Sequence, residues 1–441
     1  MKIGAISLGC DKNRVDTENL LGFLTEAGHE IVSAVDMADA VLINTCSFLK
    51  SAVKESLETV FEARAVGSVK YVIVAGCLPL RYLSDLTGEE GLSEADAFIT
   101  PDCYDRIDEV LERVSRGERV IMTGGSAQPK ISESRVITTP YHYAYLRIAD
   151  GCDNHCTFCA IPGIRGRYRS EEKEAVLQEA SRLIGQGVRE LILVAQDVTR
   201  YGSDRGEDGG LIDLLRGLVR LPIERIRLLY CYPDKCTEEL IDFIDAEPKM
   251  AKYIDMPMQH ASDSVLKRMN RRDTASSLME KIAYVRSKKS DIAIRSTFMV
   301  GFPGETEEEF QELCAFLEKA RLDHVGFFAY SREEGTPAAR MKGQVSAKVK
   351  KERLTKVIDL QSHIACERAE KMIDQVLVVT YDGIDYDKEC FYGHADRIAP
   401  DADEKVYFTS AESVEIGESY PVRIVKTDKL DLYGVALECE R

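Results

Sequence analysis

The chain has 441 residues, 44% of them apolar, and a net charge of −17. That is enough for roughly two to four domains with an ample core, and no run of about 18 apolar residues marks a helical membrane span. The acidic balance argues against a general nucleic-acid binder, which is normally basic, and favours a basic partner.

The start reads as a strand rather than a signal peptide, because Asp11, Lys12 and Arg14 end the apolar run too early. A cytoplasmic protein without membrane contact is expected. Thirteen cysteines, an odd number in a large chain without a secretion signal, argue for metal ligation or catalysis over a disulfide framework. Residues 2–8, 40–44 and 71–75 are apolar runs of strand length, and 13–27 and 49–65 have helical periodicity. This alternation predicts an α/β fold over residues 1–125, a doubly wound parallel sheet. Cys10, Cys46 and Cys77 each stand one or two residues past the carboxyl end of a strand. In an open parallel sheet those ends share the ligand-binding edge, so the three are expected to converge. Three small apolar residues at strand ends are the plainer alternative. Cys103, Cys231, Cys236, Cys314, Cys366, Cys390 and Cys439 lack this setting and are expected to be structural thiols. Residues 126–140, with two prolines and no periodicity, read as a linker.

Over residues 141–370, strands are predicted at 144–149, 190–195, 225–230, 253–256, 292–300 and 325–330. Helices are predicted at 171–186, 211–220, 237–246, 264–268, 277–288 and 307–320. This pattern fits a partial (β/α)6 barrel with its site at the strand carboxyl ends. The first strand runs into Gly151–Ala160, where Cys152, Cys156 and Cys159 have the spacing C-x3-C-x2-C. Thiolates are the standard ligands of iron–sulfur clusters. Three cysteines leave one corner of a four-iron cluster without a protein ligand, and an open position marks a catalytic metal site. A structural zinc ion needs a fourth ligand, and His155 is held between Asn154 and Cys156. A zinc knuckle and free buried thiols are the alternatives.

Other strand ends carry Gln196 with Asp197, Tyr232 with Asp234, and Gln259 with His260, the last pair also explicable as satisfied core groups. Gly301 opens a segment whose two glycines permit close backbone approach to a ligand, although a turn capped by Thr306 accounts for it equally well. Arg165, Arg167 and Arg169 either clamp a carboxylate or form a solvated loop.

Five short strands at 376–381, 389–395, 405–409, 419–427 and 434–439 predict a small all-β barrel over residues 371–441. Small barrels that hold RNA need a positive face. Residues 376–441 carry 15 acidic and 7 basic side chains, which suits a basic protein instead.

Three separated cysteines, then C-x3-C-x2-C in a barrel, then a small β-barrel: this full-length layout resembles the methylthiotransferase family of radical S-adenosylmethionine (SAM) enzymes. The stretches 254–263, 232–235 and 330–337 look most like the branch that modifies the twelfth protein of the small ribosomal subunit. The resemblance implies a methylthio group placed on the β-carbon of an aspartate, a C-terminal TRAM domain, and SAM and two 4Fe–4S clusters as cofactors. Cys152, Cys156 and Cys159 then ligate the SAM-binding cluster, and Cys10, Cys46 and Cys77 the auxiliary one. Phe158 falls beside the adenine, and Gln196, Gln259 and Gly301 are candidate SAM contacts. The Gly-Gly-Glu segment that many radical SAM enzymes use for the SAM amino group is not evident after Val194. The implied partners are a basic small-subunit ribosomal protein, the small subunit itself and an electron donor. The alternatives are methylthiolation of a tRNA adenosine and a non-catalytic iron–sulfur RNA adaptor.

Overall fold

The computed structural model describes residues 1–125, 130–207 and 209–437. Six strands open the chain: β1 (Lys2–Ser7), β2 (Glu30–Val32), β3 (Ala40–Thr45), β4 (Tyr71–Gly76), β5 (Ala97–Ile99) and β6 (Val120–Met122). All pair in parallel, in the order β2-β1-β3-β4-β5-β6. The helices between them are α1 (Asp11–Glu26), α2 (Lys50–Ala65), α3 (Cys77–Thr87) and α4 (Ile107–Ser115). Leu20, Leu24, Val110 and Leu111 of α1 and α4 pack on one face. Val60, Ala63, Leu78 and Leu86 of α2 and α3 pack on the other. The sheet is doubly wound, and its strand order reverses between β1 and β3, where open α/β sheets bind ligands.

Next come β7 (Tyr143–Arg147), the short antiparallel pair β8 (Ala149–Asp150) and β9 (Arg169–Ser170), and then β10 (Glu190–Val194), β11 (Arg225–Leu228), β12 (Tyr253–Asp255), β13 (Ala293–Val300) and β14 (His324–Ala329). Two parallel arcs, β11-β10-β7 and β12-β13-β14, meet through a bridge between Ile226 and Met250. The result is a partial barrel of six strands. Around it run α5 (Ile161–Arg165), α6 (Lys173–Gly185), α7 (Gly210–Leu218), α8 (Glu238–Ala246), α9 (Asp263–Arg268), α10 (Ala275–Arg286) and α11 (Glu307–Ala320), followed by the long α12 (Ala347–Glu370). Thr306 caps α11 with Glu309 in a capping box. Inside the barrel, Tyr143, Tyr145, Ile192, Val194 and Tyr253 pack with Val15 of α1 and Ala399 of the last module.

The last module is a closed barrel of β15 (Val376–Asp385), β16 (Cys390–Ala395), β17 (Val406–Thr409), β18 (Ser419–Asp428) and β19 (Asp431–Ala436). Its fifth strand starts three residues earlier than expected, and Cys439 lies outside the described residues. Residues 394–404 of this module seal the amino-terminal mouth of the central barrel. Arg227 donates to the Asp396 carbonyl at 3.0 Å, Tyr253 donates to Asp403 at 2.7 Å, and His394 meets Glu190 at 2.9 Å. The carboxyl ends of the central strands are left to face the first domain.

Residues 126–129 of the expected linker also lie outside the described residues. The irregular stretch 130–140 is pinned rather than loose. The Ser132 amide donates to Asn19 at 3.0 Å, the Thr138 amide to Glu18 at 2.8 Å, and buried Arg135 bridges Glu18 and Glu179.

Candidate active site between two cysteine sets

The loop after β8 is folded by its own polar residues. Gly151 has φ +77, and a Cβ there would lie 2.1 Å from the Arg167 carbonyl oxygen, so only glycine fits. The Asn154 amide donates to the fully buried Asp197 at 2.8 Å, and its backbone N–H lies 3.5 Å from the Cys152 Sγ. Asp197, expected as a possible ligand contact, is thus the anchor of the loop. Tyr232 OH lies 3.0 Å from the Cys156 Sγ. Burial pushes the Cys152 thiol up to about 11 and the Cys159 thiol up to about 12. His155 is exposed and lines a separate outer cleft beside Cys156 and Cys159, not the larger cavity that all six cysteines line.

Cys10, Cys46 and Cys77 follow β1, β3 and β4, at the edge where the sheet order reverses. Gly9 (φ +92) lets the first loop approach the second, since a Cβ there would stand 2.8 Å from the Cys46 Cβ. Cys77 Sγ lies 3.6 Å from Asn13 Oδ1 and 3.3 Å from Arg165 Nε. Burial pushes its thiol up to about 12, against the pull of the guanidinium.

Both sets open onto one cavity of about 1600 Å³, its mouth included, lined by all six cysteines. Between them lies a buried ionic knot. Arg165, 6% exposed, sits 2.8 Å from Asp16 and 3.5 Å from Asp150, and donates to Asn13 at 2.7 Å. Arg147 donates to Asp16 from the other side. Burial pushes the Asp150 carboxyl up, but Arg165 and Arg147, with the Gln196 amide at 2.9 Å, hold it below the usual range.

Two orphaned acceptors face this space. The carboxamide oxygens of Gln196 and Gln259, both lining the cavity, are buried without a hydrogen-bond partner. Buried acceptors left unpaired are costly, so they suit a ligand with N–H or O–H donors. Six thiols on a common wall, with unpaired acceptors beside them, fit a sulfur-ligated cluster and a polar organic cofactor.

Phe158 lines the cavity and packs against the apolar cluster that includes Val265, Met269 and Phe302. Gly301 is placed elsewhere. It packs on the stem of Lys350, where a Cβ would meet Cγ at 2.3 Å, and its N–H donates to Glu305, so its φ of +73 serves a turn. His260 is fully buried beside Ser262 and Glu305, in keeping with a core pair. The three arginines divide: Arg165 is the buried knot, Arg169 donates to the backbone of Arg165 and Arg167, and the Arg167 side chain is 91% exposed.

Sequence reasoning missed Lys12, Asn13, Tyr230 and Arg271, which also line the cavity. Tyr230 stands two residues past β11, so the strand-end rule alone reaches it. The stretch 330–337 borders a neighbouring cleft on the other side of Cys156 and Cys159, with Arg81 of α3 donating to the Glu334 carbonyl at 2.9 Å and pairing with Glu333.

Known families match three parts of the chain: Radical SAM superfamily at residues 146–317, Uncharacterized protein family UPF0004 at 2–99, and TRAM domain at 373–437. Among solved structures, the radical S-adenosylmethionine methyltransferase TsrM from Kitasatospora setae has a similar fold, with a TM-score of 0.54 at 15% identity over 86% of this chain and 76% of that one. Ribosomal protein uS12 methylthiotransferase RimO from Trichlorobacter lovleyi is 42% identical over 99% of this chain and 98% of the relative. RimO from Clostridium kluyveri is 43% identical with the same coverage. Identity of that order, end to end and across all three modules, makes this chain a member of the RimO family of radical SAM methylthiotransferases.

Proposed function

We propose that the chain places a methylthio group on the β-carbon of an aspartate of ribosomal protein uS12, with SAM and two 4Fe–4S clusters as cofactors. The observation that carries this reading is the convergence of Cys10, Cys46, Cys77 and Cys152, Cys156, Cys159 on one cavity. Replacing hydrogen on an unactivated carbon is beyond acid–base chemistry at neutral pH, so side chains alone do not suffice. The first three cysteines hold an auxiliary cluster and the second three the SAM cluster. Together these groups supply radical chemistry, sulfur and the methyl group, while the protein supplies position.

The positioning falls to named residues. The Gln196 and Gln259 carboxamide oxygens accept from the polar end of SAM, and Phe158 offers an apolar surface beside it. The Arg165 knot fixes the distance between the two cysteine sets. The first domain walls one side of the cavity against water. An external electron donor completes the reaction.

The division into residues 1–125, 126–140, 141–370 and 371–441 belongs to the same proposal, as does a cytoplasmic location with uS12 met free or on the small subunit. Among the described residues no helix is long and apolar enough to cross a membrane. The last module is less acidic outwardly than its composition suggests. Asp382, Asp396, Asp401, Asp403, Glu404 and Glu418 are paired with the rest of the chain. Asp387, Glu389, Glu412, Glu415 and Asp428 stay exposed for a basic partner.

The test is anaerobic. Cluster-reconstituted protein is given SAM, a reductant, and either uS12 or an anticodon stem-loop RNA, and both substrates are examined by mass spectrometry. A methylthio adduct on a uS12 aspartate is expected, whereas an adduct on the RNA moves the chain to the tRNA-modifying activity. Cys156→Ala is expected to abolish SAM cleavage, and Cys46→Ala to keep cleavage but lose sulfur transfer.

A further inference from the structure

Four cationic side chains line the shared cavity, and three of them are answered by carboxylates. Arg165 has Asp16 and Asp150, Arg295 has Asp255 and Asp403 at 3.2 Å, and Arg271 has Asp273 at 3.9 Å. Lys12 is different. It is 6% exposed, and among the described residues no carboxylate lies within 4 Å of its ammonium. The ammonium rests on the Tyr230 ring, 3.3 Å from the centroid. The neighbouring Asp11 accepts instead from the Tyr230 hydroxyl at 2.9 Å. A ring face orients a cation without cancelling its charge, so the ammonium on the cavity wall keeps its capacity for an anion. Lys12 also lies in the first turn of α1, where Cys10 stands at the N-cap without a capping side-chain bond, so the first backbone N–H groups add to the local preference for an anion.

We propose that Lys12 is the group that reads the side-chain carboxylate of the substrate aspartate, and so selects aspartate as the acceptor. This rests on the methylthiotransferase reading above. The carbon that receives sulfur is bonded directly to the carboxylate carbon. Whatever holds that carboxylate must therefore lie close to the sulfur-delivering cysteine set, and Lys12 stands two residues from Cys10. Arg271 stacks on Tyr232, 3.7 Å from its centroid, beside Cys156 and the other set. The carboxylate of SAM is the other possible source of the same chemistry, and the experiment separates the two.

Reconstituted wild type, Lys12→Met and Lys12→Arg are compared, without reductant, for binding to uS12 and to uS12 with asparagine at the modified position. A charge-assisted bond predicts that wild type prefers the aspartate form by about tenfold or more. Lys12→Met is expected to bind both forms alike, and Lys12→Arg to regain part of the preference. SAM affinity and iron content are measured on the same samples and are expected to match wild type. A preference kept in Lys12→Met overturns the assignment. So does a weakened SAM affinity, which gives Lys12 to the cofactor, or a loss of iron, which gives it to the thiolates. Wild type that binds neither form of uS12 overturns the substrate reading itself, and the inference with it.

Discussion

Arg165→Met replaces the central cation of the knot with a side chain of similar length and no charge. In the wild type this guanidinium touches Asp16, Asp150, Asn13 and the Cys77 sulfur, all nearly out of solvent. Breaking a buried pair from one side typically costs about 3–5 kcal/mol, because the other charge stays buried. Here Arg147 remains on Asp16 and the Gln196 amide on Asp150, so the low end, about 3 kcal/mol, is expected. For a chain of this length melting as one unit, this lowers the Tm by about 3 °C, and by more if the first domain melts alone. Calorimetry of the metal-free protein measures it. Asp16→Asn in the same background removes the stranded carboxylate, so the double variant should be less destabilised than the sum of the singles, by about 1 kcal/mol or more. An Arg165→Met protein within 1 °C (roughly 1 kcal/mol) of wild type, or strict additivity in the cycle, refutes the claim that this residue ties the two domains.

Gly9→Ala puts a Cβ against Cys46 at a φ of +92, so iron content should fall by about half while SAM cleavage persists; full iron loading counts against the geometry of the first cysteine set. Gln259→Leu removes an unpaired acceptor from the cavity, and SAM affinity should drop by about tenfold with iron content unchanged, as read by equilibrium binding. Burial lowers the His324 imidazole, but Asp403 and Glu404 raise it to about 9 from 6.5. Its contribution to holding the last module is therefore complete below about pH 6.5 and is lost as pH rises through about 9, on the order of 3 kcal/mol. Denaturant midpoints at three pH values should show that fall in the wild type and a flatter profile in His324→Gln.

The convergence of the six cysteines was legible because local features set it: a tight C-x3-C-x2-C loop, and three strand ends that parallel topology places on one edge. The short strands β2, β5 and β6, three residues each, carry too few positions for alternation to register. The long α12 was also not anticipated, since only six of its 24 residues are buried and its apolar stripe is sparse. Arg165 could be read as a clamp or as a solvated loop, and the difference lay in Asp16, nearly 150 positions away. Charge counting over the last module treated its carboxylates as free, while Asp396, Asp401 and Asp403 are in fact paired with Arg225, Arg14 and Arg295 of the other modules. Pairing of this kind is a property of tertiary contact and leaves no local pattern.

The knot gives the cavity a defined span. From Cys77 a chain of close contacts runs through Asn13 and Arg165 to Asp150, two residues before Cys152. Each member stands close in sequence to a cysteine or touches one: Asn13 three residues after Cys10, Arg165 six after Cys159. Moving one set relative to the other therefore stretches a buried charged contact before it disturbs either loop. Sulfur transfer between two separately bound groups needs the acceptor carbon within reach of both, and small misplacements are costly to rate. A flexible hinge between the domains would make that distance a distribution. A buried guanidinium shared by Asp16 of the first domain and Asp150 of the second makes it nearly a constant, which is a physical reason for burying so many charges at this interface.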